Sequence, residues 1–336
     1  MRIEENYSLL KHNTFGLDVK TRFFVEYENE EDLQKLLEDE YFLSQTFWHI
    51  GQGSNLLFLG DFAGVIVHSG IMGIEVEKED DNHIWLKVGA AEDWDNFVSY
   101  CVNKGWGGIE NLSLIPGEVG ASAFQNIGAY GVEASDCISE VHTYSLETRE
   151  KRVFTQEECN YSYRHSFFKE TENRGLYYIT HVVFRLSKIP EFKLDYGNLS
   201  THIKGKELNL QTIREAVISI RQSKLPDPKV SGNAGSFFMN PYICIAHYES
   251  LKKRYPTIPH YPVNDTVVKV PAAWLIEQCG LKGKELGGAA ISEMQPLVIV
   301  NQGNATGSEI ASLAEVVCQE VKKKFDVELQ PEVNYI

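Results

Sequence analysis

One stretch limits the fold more than any other. From Gly105 to Gly131 the chain reads GWGGIENLSLIPGEVGASAFQNIGAYG. Each glycine weakens a helix by about 1 kcal/mol relative to alanine, so this density argues against a core helix. The apolar residues between the glycines argue equally against a linker. A long irregular segment kept inside a compact body is a mark of function. The remainder of the 336 residues must supply that body, enough for two or three domains.

Hydrophobic residues make up 43% of the chain, which supports a sizeable core. The formal charge is −15, from 32 basic and 47 acidic residues. That balance argues against a nucleic-acid binder and against a protein drawn to anionic membranes. It leaves room for an anionic small ligand, because a few clustered cations override a diffuse field. The six cysteines, at 101, 137, 159, 244, 279 and 318, are scattered without a CxxC pair. They are expected as buried thiols in a reducing compartment. The histidines show no HExxH and no ligand spacing, so no metal is expected. The N-terminus lacks a signal peptide and no apolar run reaches the length of a membrane span. The expectation is a cytoplasmic protein.

The pattern along the chain is mixed α and β. Helices are predicted over 29–38 with Asn29 as N-cap, 91–104 stopped by Gly105, 211–224 ended by Pro226 and Pro228, 242–254, 271–279 and 308–325. Strands are predicted at 46–51, 64–68, 177–186 and 296–300, with hairpins at 74–89 and 138–154. The tail 327–336 reads as a strand that pairs into a sheet.

Familiar nucleotide motifs are missing. There is no Walker A sequence, and Gly51-Gln-Gly53 is followed by Leu56 where a Rossmann fingerprint needs glycine or alanine. Three loops, at 51–57, 115–131 and 231–240, are rich in glycine. Such loops let backbone N–H groups approach an anion closely. Ser54, Asn55, Ser122 and Asn126 add side-chain donors suited to a pyrophosphate. Each loop alone is an ordinary tight turn, but the three together point to a large phosphate-bearing ligand. Arg164 in YSYRHS can clamp a carboxylate. Ser236 does not fit a nucleophile elbow, which leaves a donor role open. Glu332 lies in the tail, and Lys224 closes the helix before the prolines.

The segments GQGSNLLF, LSLIPGEVGASAFQNIGAYG, YSYRHSFF, SKLPDPKVSGNAGSFFMNP, AAWLIEQCGLKG and PEVNYI together closely resemble the UDP-N-acetylenolpyruvoylglucosamine reductase (MurB) family. They occur in the family's order, from Asn13-Thr-Phe-Gly16 to Glu332. Leu194-Asp-Tyr-Gly-Asn-Leu199 looks like the tyrosine loop of the longer subclass.

The resemblance implies an α+β chain with an FAD-binding fold of the vanillyl-alcohol-oxidase type, built of two α/β subdomains, and a C-terminal α+β substrate domain. The boundaries it suggests are 1–72 with 327–336, 73–224 and 225–326. It implies tightly but non-covalently bound FAD, NADPH as hydride donor, and reduction of UDP-N-acetylglucosamine-enolpyruvate to UDP-N-acetylmuramate in peptidoglycan synthesis. The chain is expected to be a monomer without nucleic-acid or membrane partners.

Family roles carry over residue by residue. Ser236 matches the proton donor, and Arg164 and Glu332 match the pair that stabilises the enol intermediate. Tyr130, Tyr196, Lys224 and Asn240 match substrate-binding positions. Gly51, Gly53, Ser54, Asn55, Leu56, Pro116, Gly117, Gly120, Ser122, Asn126, Ile127, Gly128 and Arg221 fall at flavin positions. Lys224, Arg221 and Lys229 gather cations near the domain boundary despite the negative total. The tail departs from some relatives, with Asn334 where they carry arginine. Two alternatives stay open: a flavin oxidase on the same scaffold, and a flavin- or UDP-sugar-binding sensor without turnover.

Overall fold

The computed structural model describes residues 1–195 and 198–336. Two units arise from interleaved segments. The first comprises Met1–Tyr7, Thr21–Gln52 and Ala63–Ser223, and the second comprises Ser8–Lys20, Gly53–Phe62 and Lys224–Ile336.

The first unit carries two sheets. In one, the strands Arg2–Ser8, Lys20–Tyr27, Phe62–Ser69 and Phe47–Ile50 lie side by side in that order. Phe47–Ile50 and Phe62–Ser69 run parallel. The helix Glu30–Glu38 connects two of these strands, and Asn29 caps it by accepting from Asp32 N at 2.9 Å. The other sheet is antiparallel, in the order Lys151–Thr155, Ile138–Ser145, Tyr177–Ser187, His83–Gly89, Ile74–Glu79. Its core includes Leu86, Val88, Val182 and Phe184, closed by Trp94 and Phe97 of the helix Trp94–Lys104.

The second unit is built around the helix Gly307–Phe325, whose N-terminus has a reciprocal capping box between Thr306 and Glu309. Ile310, Leu313, Val317 and Val321 line its buried face. The sheet Gly232–Asn233, Ile299–Asn301, Ala289–Ile291, Glu285–Leu286 belongs to the same unit.

Several sequence expectations change. The glycine-rich segment does hold a helix, Val119–Gln125. It is possible because glycine falls at its edges, while Ala121, Ser122 and Ala123 fill its middle, and Asn126 ends it in the left-handed region at φ 47°. Residues 242–254 are not one helix. Tyr242–Cys244 pairs with Val267–Lys269, and the helix begins only at Ile245. The strands Arg2–Ser8 and Lys20–Tyr27 were not foreseen. In the tail only Asn334–Tyr335 forms a strand, parallel to Leu56–Leu57. All six cysteines are thiols, but three alone are buried: Cys244 is exposed at a helix start, and Cys279 and Cys318 are half-buried. Among the described residues no helix is long and apolar enough to cross a membrane.

Candidate active site

In the second unit Ser236 sits on a turn held from both sides. Asn233, only 2% exposed, does much of the holding. Its Oδ1 accepts from Gly235 N at 2.8 Å, and its Nδ2 donates to Ser231 O at 2.8 Å and Pro226 O at 3.2 Å. Gly235 adopts φ +68°, a conformation that costs other residues strain. Beyond the serine, Phe237 and Phe238 are buried in the core. Phe237 N donates to Leu297 O at 2.8 Å, and Phe237 O accepts from Glu332 N at 2.8 Å. Ser236 is therefore half-buried between two fixed points.

Glu332 is half-buried on the neighbouring segment. Its carbonyl accepts from Asn55 Nδ2 at 3.2 Å, and Asn334 N donates to Asn55 O at 3.1 Å. These bonds join the Ser54-Asn55-Leu56 loop, the serine turn and the tail. Gly53 enters that loop at φ +76°, where an added Cβ would lie 1.9 Å from His12 O. Asn240 Oδ1 accepts from Ala272 N at 2.9 Å and starts the helix Ala272–Gln278. Lys224 is exposed at the last residue of the helix Leu210–Lys224.

The first unit holds Gly51, the 116–130 segment, Arg164 and Arg221. Arg164 adopts φ 56° and its Nη2 donates to Gly128 O at 2.7 Å. Asn126 is fully buried: its Nδ2 donates to Glu133 Oε2 at 2.8 Å and Ser162 O at 3.0 Å, and its Oδ1 accepts from Ser135 N at 3.0 Å. Ser122 is also buried, and its hydroxyl donates to Val119 O at 2.6 Å. Both were expected as side-chain donors to a ligand. Those side chains are instead engaged within the protein, so their contribution is the shape of the loop. Val119 N and Gly120 N are likewise bonded, to Glu92 O and Ala90 O, each at 2.9 Å. Pro116 is exposed, Gly117 and Ile127 are buried, and Gly128 is half-buried. Tyr196 lies outside the described residues.

Leu114 opens this segment at φ 59° and is gripped on both sides. Its N–H donates to Asp95 Oδ1 at 2.5 Å, and its carbonyl accepts from Arg221 Nε at 3.2 Å. Asp95 in turn receives Arg214 through two bonds of 2.6 and 2.9 Å. Burial lowers the Arg221 guanidinium below its ordinary value, partly offset by Tyr130 and Asp95. Burial raises the Tyr130 hydroxyl, with Arg221 opposing. Among the described residues no carboxylate forms an ion pair with Arg221 at salt-bridge distance.

Comparison with known proteins gives 49% identity over 335 residues to the UDP-N-acetylenolpyruvoylglucosamine reductase of Bacteroides fragilis, covering 99% of this chain and 100% of that protein. The chain belongs to the UDP-N-acetylenolpyruvoylglucosamine reductase family. The protein of the same name from Porphyromonas gingivalis is 48% identical over 338 residues, covering 100% of both. The family's C-terminal domain matches residues 227–336, and an FAD binding domain matches 21–146. The crystal structure of UDP-N-acetylenolpyruvylglucosamine reductase from Thermus caldophilus aligns with 100% of this chain and 99% of its own, with a TM-score of 0.70 at 22% identity. That likeness concerns the fold, and it agrees with the α+β class expected from the sequence. The residues present fit an anionic dinucleotide in that the half-buried Arg221 guanidinium, bonded to Leu114 O, adjoins the glycine-rich segment 115–131.

Sequence reasoning missed the groups that hold the site. Asn233 was legible as an amide between two glycines. Asp95 and Arg214 carry no local signal, being 119 positions apart.

Proposed function

We propose that this chain is a flavoenzyme that reduces the enolpyruvyl group of UDP-N-acetylglucosamine-enolpyruvate with NADPH, giving UDP-N-acetylmuramate for peptidoglycan synthesis. Within the chain, the reading rests on the serine turn with Glu332 bonded beside it. FAD, when bound, would supply the hydride-transfer chemistry between NADPH and the terminal carbon of the substrate double bond. The protein does the rest.

As the new C–H bond forms, the π bond breaks and its electron pair moves onto the α-carbon and the carboxylate. Arg164, held to Gly128 O, is the cation for that developing charge. The Ser236 O–H bond then breaks and its proton goes to the α-carbon, after which the alkoxide regains a proton from water. A serine hydroxyl is a weak acid, but an enolate is a strong base, so a fixed geometry outweighs acidity. Glu332 orients the intermediate. Neither the oxidase nor the sensor reading gains support.

Finer assignments belong to the same proposal. Lys224, Asn240, Tyr130 and Tyr196 serve the UDP-sugar. Arg221 and the loops at Gly51, Gly53–Leu56 and Pro116–Gly128 serve the flavin. In the same reading the chain is a cytoplasmic monomer of three domains, 1–72 with 327–336, 73–224 and 225–326.

One cuvette tests the reading. The purified protein should absorb as oxidised flavin, bleach with NADPH without oxygen, and regain colour when UDP-N-acetylglucosamine-enolpyruvate is added. A protein that bleaches but does not recover with substrate excludes the reductase.

A further inference from the structure

Three residues outside the reaction meet inside the first unit. His68 lies on the strand Phe62–Ser69, Glu26 on Lys20–Tyr27, and Glu118 immediately before the helix Val119–Gln125. His68 Nδ1 is 2.8 Å from Glu26 Oε2, and its Nε2 is 3.0 Å from Glu118 Oε1. The side chains are 11%, 22% and 9% exposed, in the order His68, Glu26, Glu118. A carboxylate faces each ring nitrogen, and only the doubly protonated ring donates to both. A neutral ring would set a lone pair against one carboxylate.

The position of Glu118 gives the triad a reach beyond its own bonds. The carboxylate does not cap the helix that follows it. Its second oxygen lies against Gly51: a Cβ added there would be 2.9 Å from Glu118 Oε2 and 3.6 Å from Ala121 Cβ. One carboxylate thus touches both glycine segments of the first unit that are assigned to the flavin.

We propose that His68 is a positioning residue for the flavin: its imidazolium neutralises Glu118 and fixes the turn 117–122 against Gly51, so that flavin retention falls when His68 loses its proton. The proposal rests on the reading of this chain as an FAD enzyme.

The sign follows from the surroundings. Burial works against the His68 charge, but Glu118 and Glu26 outweigh it and hold the ring above its ordinary value. Burial pushes Glu118 up, His68 draws it down, and Asp93 and Glu26 add like charge. Arg2 Nη1 is 3.8 Å from Glu26 Oε1 on the far side. His49 is kept neutral, pushed down to about 3 by burial and by His68, while burial raises the Tyr27 hydroxyl. The Phe24 ring stacks on His68 at 6.2 Å. The pairing is therefore complete below the raised value and is lost as pH rises through it. The loss leaves an uncompensated carboxylate in a segment assigned to a diphosphate.

The test is FAD retention by the holoenzyme, read as free-flavin fluorescence after dilution across about pH 6 to about pH 9. The wild-type dissociation constant should rise about tenfold through a one-proton step that lies above the ordinary histidine value. Glu118→Gln keeps the shape and removes the charge, so its profile should be flat within about twofold. Glu26→Gln leaves the turn alone and should move the step to lower pH, which keeps the test open if the Glu118 variant does not fold. A yellow wild-type protein with a flat profile overturns the inference alone, as does a Glu118→Gln step equal to the wild-type one. A wild-type protein that takes up no FAD overturns the flavoenzyme reading and this inference with it.

Discussion

The backbone N–H of Glu332 donates to the carbonyl of Phe237 at 2.8 Å, one residue past Ser236. The tail and the serine turn therefore share a reference point, and a change in one displaces the other. Ser236→Ala removes the proton and leaves that bond in place. Reduction of bound flavin by NADPH should stay within about twofold, while reoxidation by substrate slows by about 1000-fold. Stopped-flow absorbance separates the two steps, and equal slowing of both would refute the proton-donor role.

Asn233 makes three side-chain bonds to the serine turn while 2% exposed. Asn233→Ala leaves the half-buried Gly235 N, Ser231 O and Pro226 O without these bonds. We expect a loss of about 2 to about 3 kcal/mol in unfolding free energy. Urea titration with substrate-free holoenzyme measures it. Product formation should fall as well, because Gly235 loses its acceptor.

Gly53 combines a left-handed φ of +76° with a neighbouring backbone oxygen, His12 O, 1.9 Å from where a Cβ would stand. The obstacle is main chain, which cannot swing aside as a side-chain end can. Gly53→Ala should cost more than about 3 kcal/mol and give little soluble protein. Gly60→Ala is the control, since nothing lies within 4 Å of its Cβ position. Equal yields from the two would contradict the packing described.

Acid should destabilise the first unit through two histidines. Burial pushes His49 down to about 3, and burial with Lys87 pushes His181 down to about 4. The unfolded chain takes up protons near about pH 6.5, before the folded one does. Stability is thus lost as pH falls from there toward those values. His181→Phe should reduce the proton uptake on unfolding near about pH 5 by about one, read from the slope of urea midpoints against pH. An unchanged slope would mean that His181 is solvated in the folded protein.

Capped and periodic elements were legible in the sequence. Asn29 and Gly105 mark the ends of their helices because a cap is a local requirement, met within a turn. The parallel pair Phe47–Ile50 and Phe62–Ser69 was legible as two short apolar runs, but not as partners. The helix Val119–Gln125 was hidden because the glycines of the surrounding segment were weighed by number and not by place, and only Gly120 falls within the helix. Of the candidate site, motif residues such as Ser236, Arg164 and Glu332 stood out by resemblance. Asn126 and Ser122 were identified but given outward roles, because nothing in a sequence tells whether an amide or hydroxyl is already bonded within its own fold. The His68 triad left no trace, since Glu26 lies 42 positions before His68 and Glu118 lies 50 positions after it.

Asn55 and Asn334 are bonded across 279 positions of chain. A nascent polypeptide emerging from the ribosome would thus expose residues 53–62 long before their partners exist. Early folding must then proceed with that segment provisional, and the closing contact is the slow, high-contact-order one. The pairing of Leu56–Leu57 with Asn334–Tyr335 is thus completed only when the last residues of the strand have been synthesised.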